Sequence, residues 1–426
     1  MSLRIPSVLL VLIATQSLCF ARAPVPKPKG IGADTVAAYE KLGATYGSMV
    51  RDSTGLIHFE EPKDGVRPTG MPAFRFFQFP GGDLPDVGVP FALAFWFVEL
   101  NDAALKQIKE LKNLSQLTFN GPVTDECFAH LAELGGLTAL TINGTKITNA
   151  GLKSLGRLKN LESLLLSNVK GVTVEGFREL VGLEKLRVLF IGSASISDSI
   201  LTEIKPLVRL VTLGLPYCNI TNAALNGLGD FKELTSLYLN ETKIDDDAIA
   251  EIQKLKKLAV LKVAGTKLTD AGVRQLALMK SLTELDLGRT TLTDAGVKEL
   301  CVLADLTRLS ISETDITDAG LKHVKRLRKL TLLGLDDCTR LTDSGLGEIE
   351  DLTDLTALAL RNIPITDAGV KRLANLKKLT WLALDNTRIT DAGIEHLVGL
   401  KELRVFSVDE TLVTDEGVKY LTRSKT

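Results

Sequence analysis

The sequence predicts an α/β solenoid of about thirteen to fourteen coils of 24 residues, followed from residue 90 to residue 426. Three observations carry this. A turn residue recurs at Asn101, Thr124, Thr148, Thr173, Ser197, Thr221, Asp245, Thr269, Thr293, Thr317, Thr342, Thr366, Thr390 and Thr414, at intervals of 23, 24 or 25 residues. Between these positions a helical spacing of apolar residues gives way to a strand spacing. A Gly recurs in the third position after many of the turn residues, at Gly272, Gly296, Gly320, Gly369 and Gly393.

The unit is clearest in TDAGVKRLANLKKLTWLALDNTRI, residues 366–389. Val370, Leu373, Leu376, Leu379 and Leu382 fall at every third residue, Leu384 follows two later, and Ile389 closes the unit. Leu382 and Leu384 therefore point to one side of a short strand, and Trp381, Ala383 and Asp385 to the other. Thr366 is placed to cap the helix, and Asp367 sets a negative charge where the amide dipoles of its first turn converge. Each unit reads turn, helix, strand, turn. A single copy buries too little apolar surface to offset the ordering of its backbone, so the copies must stack. The recurrent Gly lets neighbouring coils approach closely.

Four segments follow along the chain. Residues 1–21, with Arg4, an apolar run over residues 8–14 and small residues at Ala21 and Ala23, have the layout of a signal peptide. The run is too short to span a bilayer stably, and Leu18 before Cys19 stands where a lipid-attachment motif needs a small residue. Residues 22–33 include APVPKPKG, an extended spacer. Residues 34–89 are not repetitive. They open on a short helix with Asp34 as its cap, and Phe74, Phe76, Phe77 and Phe79 stand just ahead of the array, where an N-terminal cap must cover the first core layer. A separate small module in this segment is the alternative. Residues 90–426 are the array, with strand motifs at Leu137/Leu140/Ile142, Leu210/Leu213/Leu215, Leu258/Leu261/Val263 and Leu403/Phe406/Val408, and fourteen strands if a degenerate one at Phe95 counts. The polar end, Thr422 to Thr426, is placed to cover the last layer.

LxxLxLxxTxI followed by TDAGLxxL resembles the leucine-rich repeat family across residues 90–426, and within it the secreted bacterial members of the ribonuclease-inhibitor-like and cysteine-containing subclass. The resemblance implies a horseshoe with a parallel sheet on its concave side and helices on its convex side. Many members place Asn after the strand to bond the backbone of the turn. This chain has Thr145, Thr242, Thr266, Thr290, Thr314, Thr387 and Thr411 there, whose hydroxyls can serve similarly, and Cys218 and Cys338 occupy the same column.

Composition removes several function classes. Lys and Arg total 51 against 52 Asp and Glu, which leaves no bulk positive field to recruit nucleic acid or anionic lipid. Cys218 and Cys338 lie five coils apart, roughly 24 Å at strand spacing, beyond disulfide reach. Cys127 and Cys301 fall at apolar helix positions, so all four read as buried thiols. His130, His323 and His396 belong to the outward faces of different helices and are too dispersed to share a metal. No Ser–His–Asp set, phosphate loop or zinc-protease motif occurs, and no cofactor is expected.

A ligand of the concave sheet would meet the residues that flank the strand leucines. Phe190, Tyr217 and Tyr238 put aromatics on three successive coils, beside Pro216. Glu284, Asp286, Arg289 and Arg308 form a charged group, continued by Asp336, Arg361, Trp381 and Asp385. Scattered side chains of this kind are also ordinary solvated surface, and alternating Arg makes calcium a poor fit to the carboxylates. The expected protein is an exported, non-enzymatic binding scaffold for a protein or a glycan, contacting it through Phe190, Tyr217, Tyr238, Asp286, Arg308 and Trp381. One alternative, implied by intracellular members of the family, is the substrate-recognition subunit of a ubiquitin ligase next to an F-box. Another is an enzyme in the N-terminal segment, where His58 is the only His.

Overall fold

A computed structural model describes residues 31–52, 54–62, 70–194 and 196–423. The expected signal peptide and most of the spacer lie outside these residues, as do residues 424–426 of the polar end. Two compact units, Met1–Ser236 and Leu237–Thr426, are described in turn.

The first unit opens on the helix Ala33–Lys41. Gly32, not Asp34, is its N-cap, and Asp34 lies in the first turn. Four strands follow: β1 (Thr45–Arg51), β2 (Ile57–Glu60), β3 (Met71–Phe76) and β4 (Phe91–Glu99). β1 pairs antiparallel with both β2 and β3, while β3 runs parallel to β4, which begins the coil ladder. These strands form a small sheet in which antiparallel pairing gives way to the parallel pairing of the coils. Period-two alternation divides its aromatics. Phe74 and Phe76 are fully buried with Tyr39, Phe91 and Phe95, Tyr39 stacking on Phe74 at 3.9 Å between ring centroids. Phe77 faces outward, 51% exposed, against the expectation that it covers the core. Arg75 emerges on that same side, with Phe59, Phe77 and Trp96 around its guanidinium at 4.6 to 4.8 Å.

From β4 the parallel ladder continues through β5 (Leu114–Asn120), β6 (Ala139–Asn143), β7 (Ser163–Ser167), β8 (Val188–Gly192) and β9 (Thr212–Gly214). The turn between β1 and β2 lies against this sheet. Asp52 Oδ1 receives Thr54 N, Thr54 Oγ1 and Leu56 N at 2.8, 2.6 and 3.1 Å. The carbonyl of Thr54 in turn accepts the Thr212 hydroxyl, 158 residues along the chain.

The second unit carries β11 (Val260–Lys262), β12 (Glu284–Asp286), β13 (Arg308–Ser310), β14 (Leu332–Gly334), β15 (Ala357–Ala359), β16 (Trp381–Ala383) and β17 (Val405–Ser407); β10 (Ser236–Tyr238) falls across the division. All paired strands from β11 to β17 are parallel and in register, so that Leu261, Leu285, Leu309, Leu333, Leu358, Leu382 and Phe406 form one inward row. Counting from β4 gives the fourteen strands expected. Helices such as Asp270–Leu276 and Asp294–Leu300 bury Gly, Val and Leu on the face turned to the strands.

The TDAG motif is explained by what lies between coils. Thr293 Oγ1 accepts Ala295 N at 3.2 Å, the cap expected from sequence. The same hydroxyl donates to Asp270 Oδ2 of the preceding coil at 2.6 Å, and Thr293 N donates to Asp270 Oδ1 at 2.9 Å. Asp246, Asp294, Asp318, Asp343, Asp367 and Asp391 repeat this with the next coil's Thr. A Cβ on Gly296 would collide with Asp270 Oδ1, and one on Gly272, Gly320, Gly345, Gly369 or Gly393 with the corresponding carboxylate. Asp therefore does more than meet a helix dipole: it ties its coil to the next, and Gly leaves room for it. In the first unit Asn149 replaces Asp, its Nδ2 donating to Thr173 Oγ1 at 3.0 Å, and Thr173 then makes no cap. One coil later Val174 stands in the Asp position and is buried, and the helix it opens, Val174–Leu180, is a 3-10 helix.

After each strand the chain turns through a left-handed residue: Glu241, Arg289, Glu313, Asp337, Asn362, Asn386 and Glu410 have φ between 51° and 59°. The threonine that follows satisfies the turn as expected in these coils, whereas the Thr145 hydroxyl, expected to do the same, is buried without a hydrogen-bond partner among the described residues. Thr242, Thr266, Thr290, Thr314 and Thr387 each donate to the carbonyl three residues back at 2.6 or 2.7 Å. Cys218 and Cys338 donate instead to a carbonyl of the preceding coil, Ile191 and Ile311, at 3.3 Å.

Two expectations follow. Gly296→Ala is destabilising because of the Asp270 carboxylate; Asp270→Ala alone costs about 1 kcal/mol for the lost bonds, and urea denaturation of the double variant shows less than the sum. Hydrogen bonds from Thr414 hold the Asp391 carboxyl below its ordinary value of 3.8. A depressed folded value stabilises the fold above the unfolded value, so stability is expected to hold down to about pH 3.8 and to be lost as pH falls below it. Denaturation midpoints across that range check the direction.

Candidate functional site

The residues expected to form one aromatic surface are placed differently from one another. Phe190 is 9% exposed and Tyr238 6%, so neither offers the open anchor the sequence suggests. For Phe190 the cause is Gly214 on the next strand: the ring occupies the space a Cβ would take there. Tyr217 remains half-buried and holds φ at 57°, the left-handed turn position of its coil. Phe190 and Tyr217 belong to the first unit and Tyr238 to the second.

The charged residues of the second unit do come together, as pairs. On the outward positions of β11, β12 and β13, Lys262 bonds the Glu284 carboxylate, and Arg308 Nε lies 3.3 Å from Glu284 Oε1, close enough to pair but too poorly angled for a hydrogen bond. Burial alone would raise Glu284; the Lys262 and Arg308 charges outweigh it and hold the carboxyl below its ordinary value. Asp286 accepts Gly288 N at 3.1 Å and thus braces the turn of its own coil. Further along, Arg361 Nε donates to Asp385 Oδ2 at 3.0 Å and its Nη1 stands 3.6 Å from Asp336 Oδ2. Burial pushes the Asp336 carboxyl up, opposed by the Arg361 backbone N–H and charge. The Arg361 guanidinium also lies over Trp381, 5.3 Å from the ring centroid.

The first outward position shows a pattern that separate reading of each coil misses. Leu332, Ala357, Trp381 and Val405 are in register on β14 to β17. Ala357 is buried, Leu332 and Trp381 are half-buried, and Val405 is 47% exposed. Asp336, Arg361 and Asp385 border this apolar row. The signal was present in sequence at a spacing of one repeat, but it requires the coils to be aligned with their 25-residue exception at Thr342 included.

Nothing in the described residues groups three or more His, Cys, Asp or Glu so as to hold a metal ion. Cys127, Cys218, Cys301 and Cys338 are buried free thiols. Burial, and the Asp102 carboxylate that accepts its hydrogen, push Cys127 up to about 12; burial alone does the same for Cys301. Neither thiol is primed as a nucleophile. A cavity of about 330 Å³ lined by Thr290, Thr291, Glu313, Thr314, Asp315, Asp337 and Thr339 opens beside the turns; burial and the neighbouring Asp337, Glu241 and Asp336 charges raise Glu313 there, against Arg289.

The family model of the leucine-rich repeat matches residues 279–301 and 303–323, the segments in which Thr317 bonds the Asp294 carboxylate while Gly296 and Gly320 leave room for the carboxylates of the preceding coils. These two segments are similar to leucine-rich repeats. A chain of the yeast Rad7–Elc1 complex is similar in fold, with 23% identity over 75% of this chain and 81% of that one and a TM-score of 0.54. An internalin (inlF) of Listeria monocytogenes has 26% identity over 70% of this chain and 82% of its own, with a TM-score of 0.48. A leucine-rich repeat protein of Leptospira interrogans has 23% identity over 78% and 87%, with a TM-score of 0.47. No curated protein matches the chain.

Removing the shared carboxylate tests the pairing of the repeat surface. Glu284→Ala leaves Lys262 and Arg308 facing each other at a part-buried site and is expected to cost about 1–3 kcal/mol, whereas Lys262→Ala, which leaves the Arg308 pair, costs less. Urea denaturation of the two variants checks the order.

Proposed function

We propose that this leucine-rich repeat protein is an exported, non-enzymatic scaffold whose second unit receives a protein partner on its sheet face. The observation that carries the reading is the apolar row Leu332, Ala357, Trp381 and Val405, bordered by charges that already satisfy one another. An apolar centre with a polar rim, and Trp beside Arg, are the features that concentrate binding energy between proteins. Arg308, paired with Glu284, belongs to the charged margin and Trp381 to the centre, while Asp286 braces the turn of its own coil. Arg361 occupies one face of the Trp381 ring, which favours a protein over a glycan, whose sugars need open ring faces.

Export rests on the composition of residues 1–21, which lie outside the described residues. No helix among the described residues is long and apolar enough to cross a membrane. The alternative of a ubiquitin-ligase subunit gains little from the N-terminal segment, whose described residues form one helix and three strands ahead of the array. The yeast relative in fold is crystallised as a Rad7–Elc1 complex; a protein partner is carried over from it only as part of this proposal.

A photo-crosslinking residue at position 381, compared with one at Lys371 on the helical face, tests the reading. The expected outcome is a partner peptide identified by mass spectrometry as attached to position 381 and absent from 371. Equal capture at both positions, or capture at 371 alone, would place the partner elsewhere and overturn it.

A further inference from the structure

A second surface lies in the first unit and does not depend on the partner reading. Where the β1–β2 turn meets the beginnings of β7, β8 and β9, a cavity of about 580 Å³ opens, within the range of small-molecule sites. Arg51, Lys185, Arg187 and Arg209 line it, against the carboxylates of Asp52 and Glu162. Both carboxylates are committed. Asp52 accepts the three bonds that fold its own turn, and Glu162 lies 3.5 Å from Arg51 Nη2. Lys185 Nζ donates to the neutral Asn160 Oδ1 at 2.7 Å.

Arg187 and Arg209 are left over. Both are exposed, and no hydrogen bond or ion pair joins either guanidinium to another of the described residues. Arg187 is nevertheless fixed in place through its backbone: its N–H donates to Glu162 O at 2.8 Å, and its carbonyl accepts Val211 N and Thr212 N at 2.7 and 3.0 Å. Val188, Val211 and Gly55 supply the apolar part of the wall. A half-enclosed cavity thus sets the cations Arg51, Lys185, Arg187 and Arg209 against the two carboxylates Asp52 and Glu162, an excess of positive charge on a chain whose formal net charge is −1.

We propose that this cavity binds a small multivalent anion bearing carboxylate or phosphate groups, held by the Arg187 and Arg209 guanidiniums with Lys185 beside them. A planar guanidinium presents paired donors that fit either oxyanion. The Arg51–Glu162 pair keeps the turn in place as the far wall.

Isothermal titration of the full chain at low salt, with citrate and with inorganic pyrophosphate in turn, tests this. At least one anion is expected to bind with one-to-one stoichiometry, and which of them binds identifies the carboxylate or the phosphate source. Arg187→Gln and Arg209→Gln should each weaken binding about tenfold or more, with the anion-free melting temperature unchanged because both side chains are exposed. Arg157→Gln removes the same charge from elsewhere in the unit and should leave affinity within about twofold. Arg187→Lys keeps the charge and loses the fork, and is expected to fall between the wild type and Arg187→Gln. Failure of both anions to bind at millimolar concentration overturns the proposal, as does equal weakening by Arg157→Gln and Arg187→Gln.

Discussion

A carboxylate in the first turn of one helix takes the hydroxyl and the backbone N–H of the threonine that starts the next coil, and a glycine in that next coil leaves the carboxylate its place. This three-residue arrangement runs from Asp246 to Thr414 in the second unit. One threonine serves both as helix cap and as intercoil donor, so the start of each helix and its distance from its neighbour are set together. Hydrophobic burial stacks the coils, but it is non-directional. The polar bonds fix where along the stack each helix begins.

Where that arrangement fails, the local geometry changes with it. Val174 cannot accept from Ser197, the helix it opens is 3-10, and the next, Ile200–Glu203, is a single turn without a side-chain cap. An ion pair from Arg178 to Glu203 joins these two coils instead. The irregular stretch borders the cavity beneath the β1–β2 turn, where Thr212 holds Thr54. Regular coils need no such external contact.

The two surfaces differ for a reason rooted in charge pairing. In the second unit, Glu284 meets Lys262 and Arg308, and Arg361 meets Asp336 and Asp385, each one coil away, because parallel strands in register place repeat-spaced residues side by side. What those pairs leave unsatisfied is apolar: Leu332, Trp381 and Val405. In the first unit the turn brings its own carboxylate but uses it internally, and what remains unsatisfied there is cationic. One face is suited to a protein's apolar anchor, and the other to an anion.

The repeat period, the number of strands, the threonine cap of the regular coils and the buried thiols were legible in sequence because each depends on residues within one coil or at one repeat spacing, whereas the cap expected at Asp34 falls at Gly32. Thr366, Leu382 and Cys301 are where their local patterns put them. The left-handed turn column is seen only in the structure, where Gly144, Gly265, Asn362 and Asn386 share their positive φ with Arg289 and Glu313. Side-chain exposure on the sheet face was not legible. Phe190 is buried because Gly214 of the next strand lacks a Cβ, and Phe77 is exposed where the chain leaves its strand at Phe76. The sequence by itself determined the coil, since local periodicity and capping chemistry are written in order along the chain. Tertiary structure alone decided which side chains remain available, because availability depends on neighbours 24 residues away on the next coil and, for Thr54 and Thr212, 158 residues away.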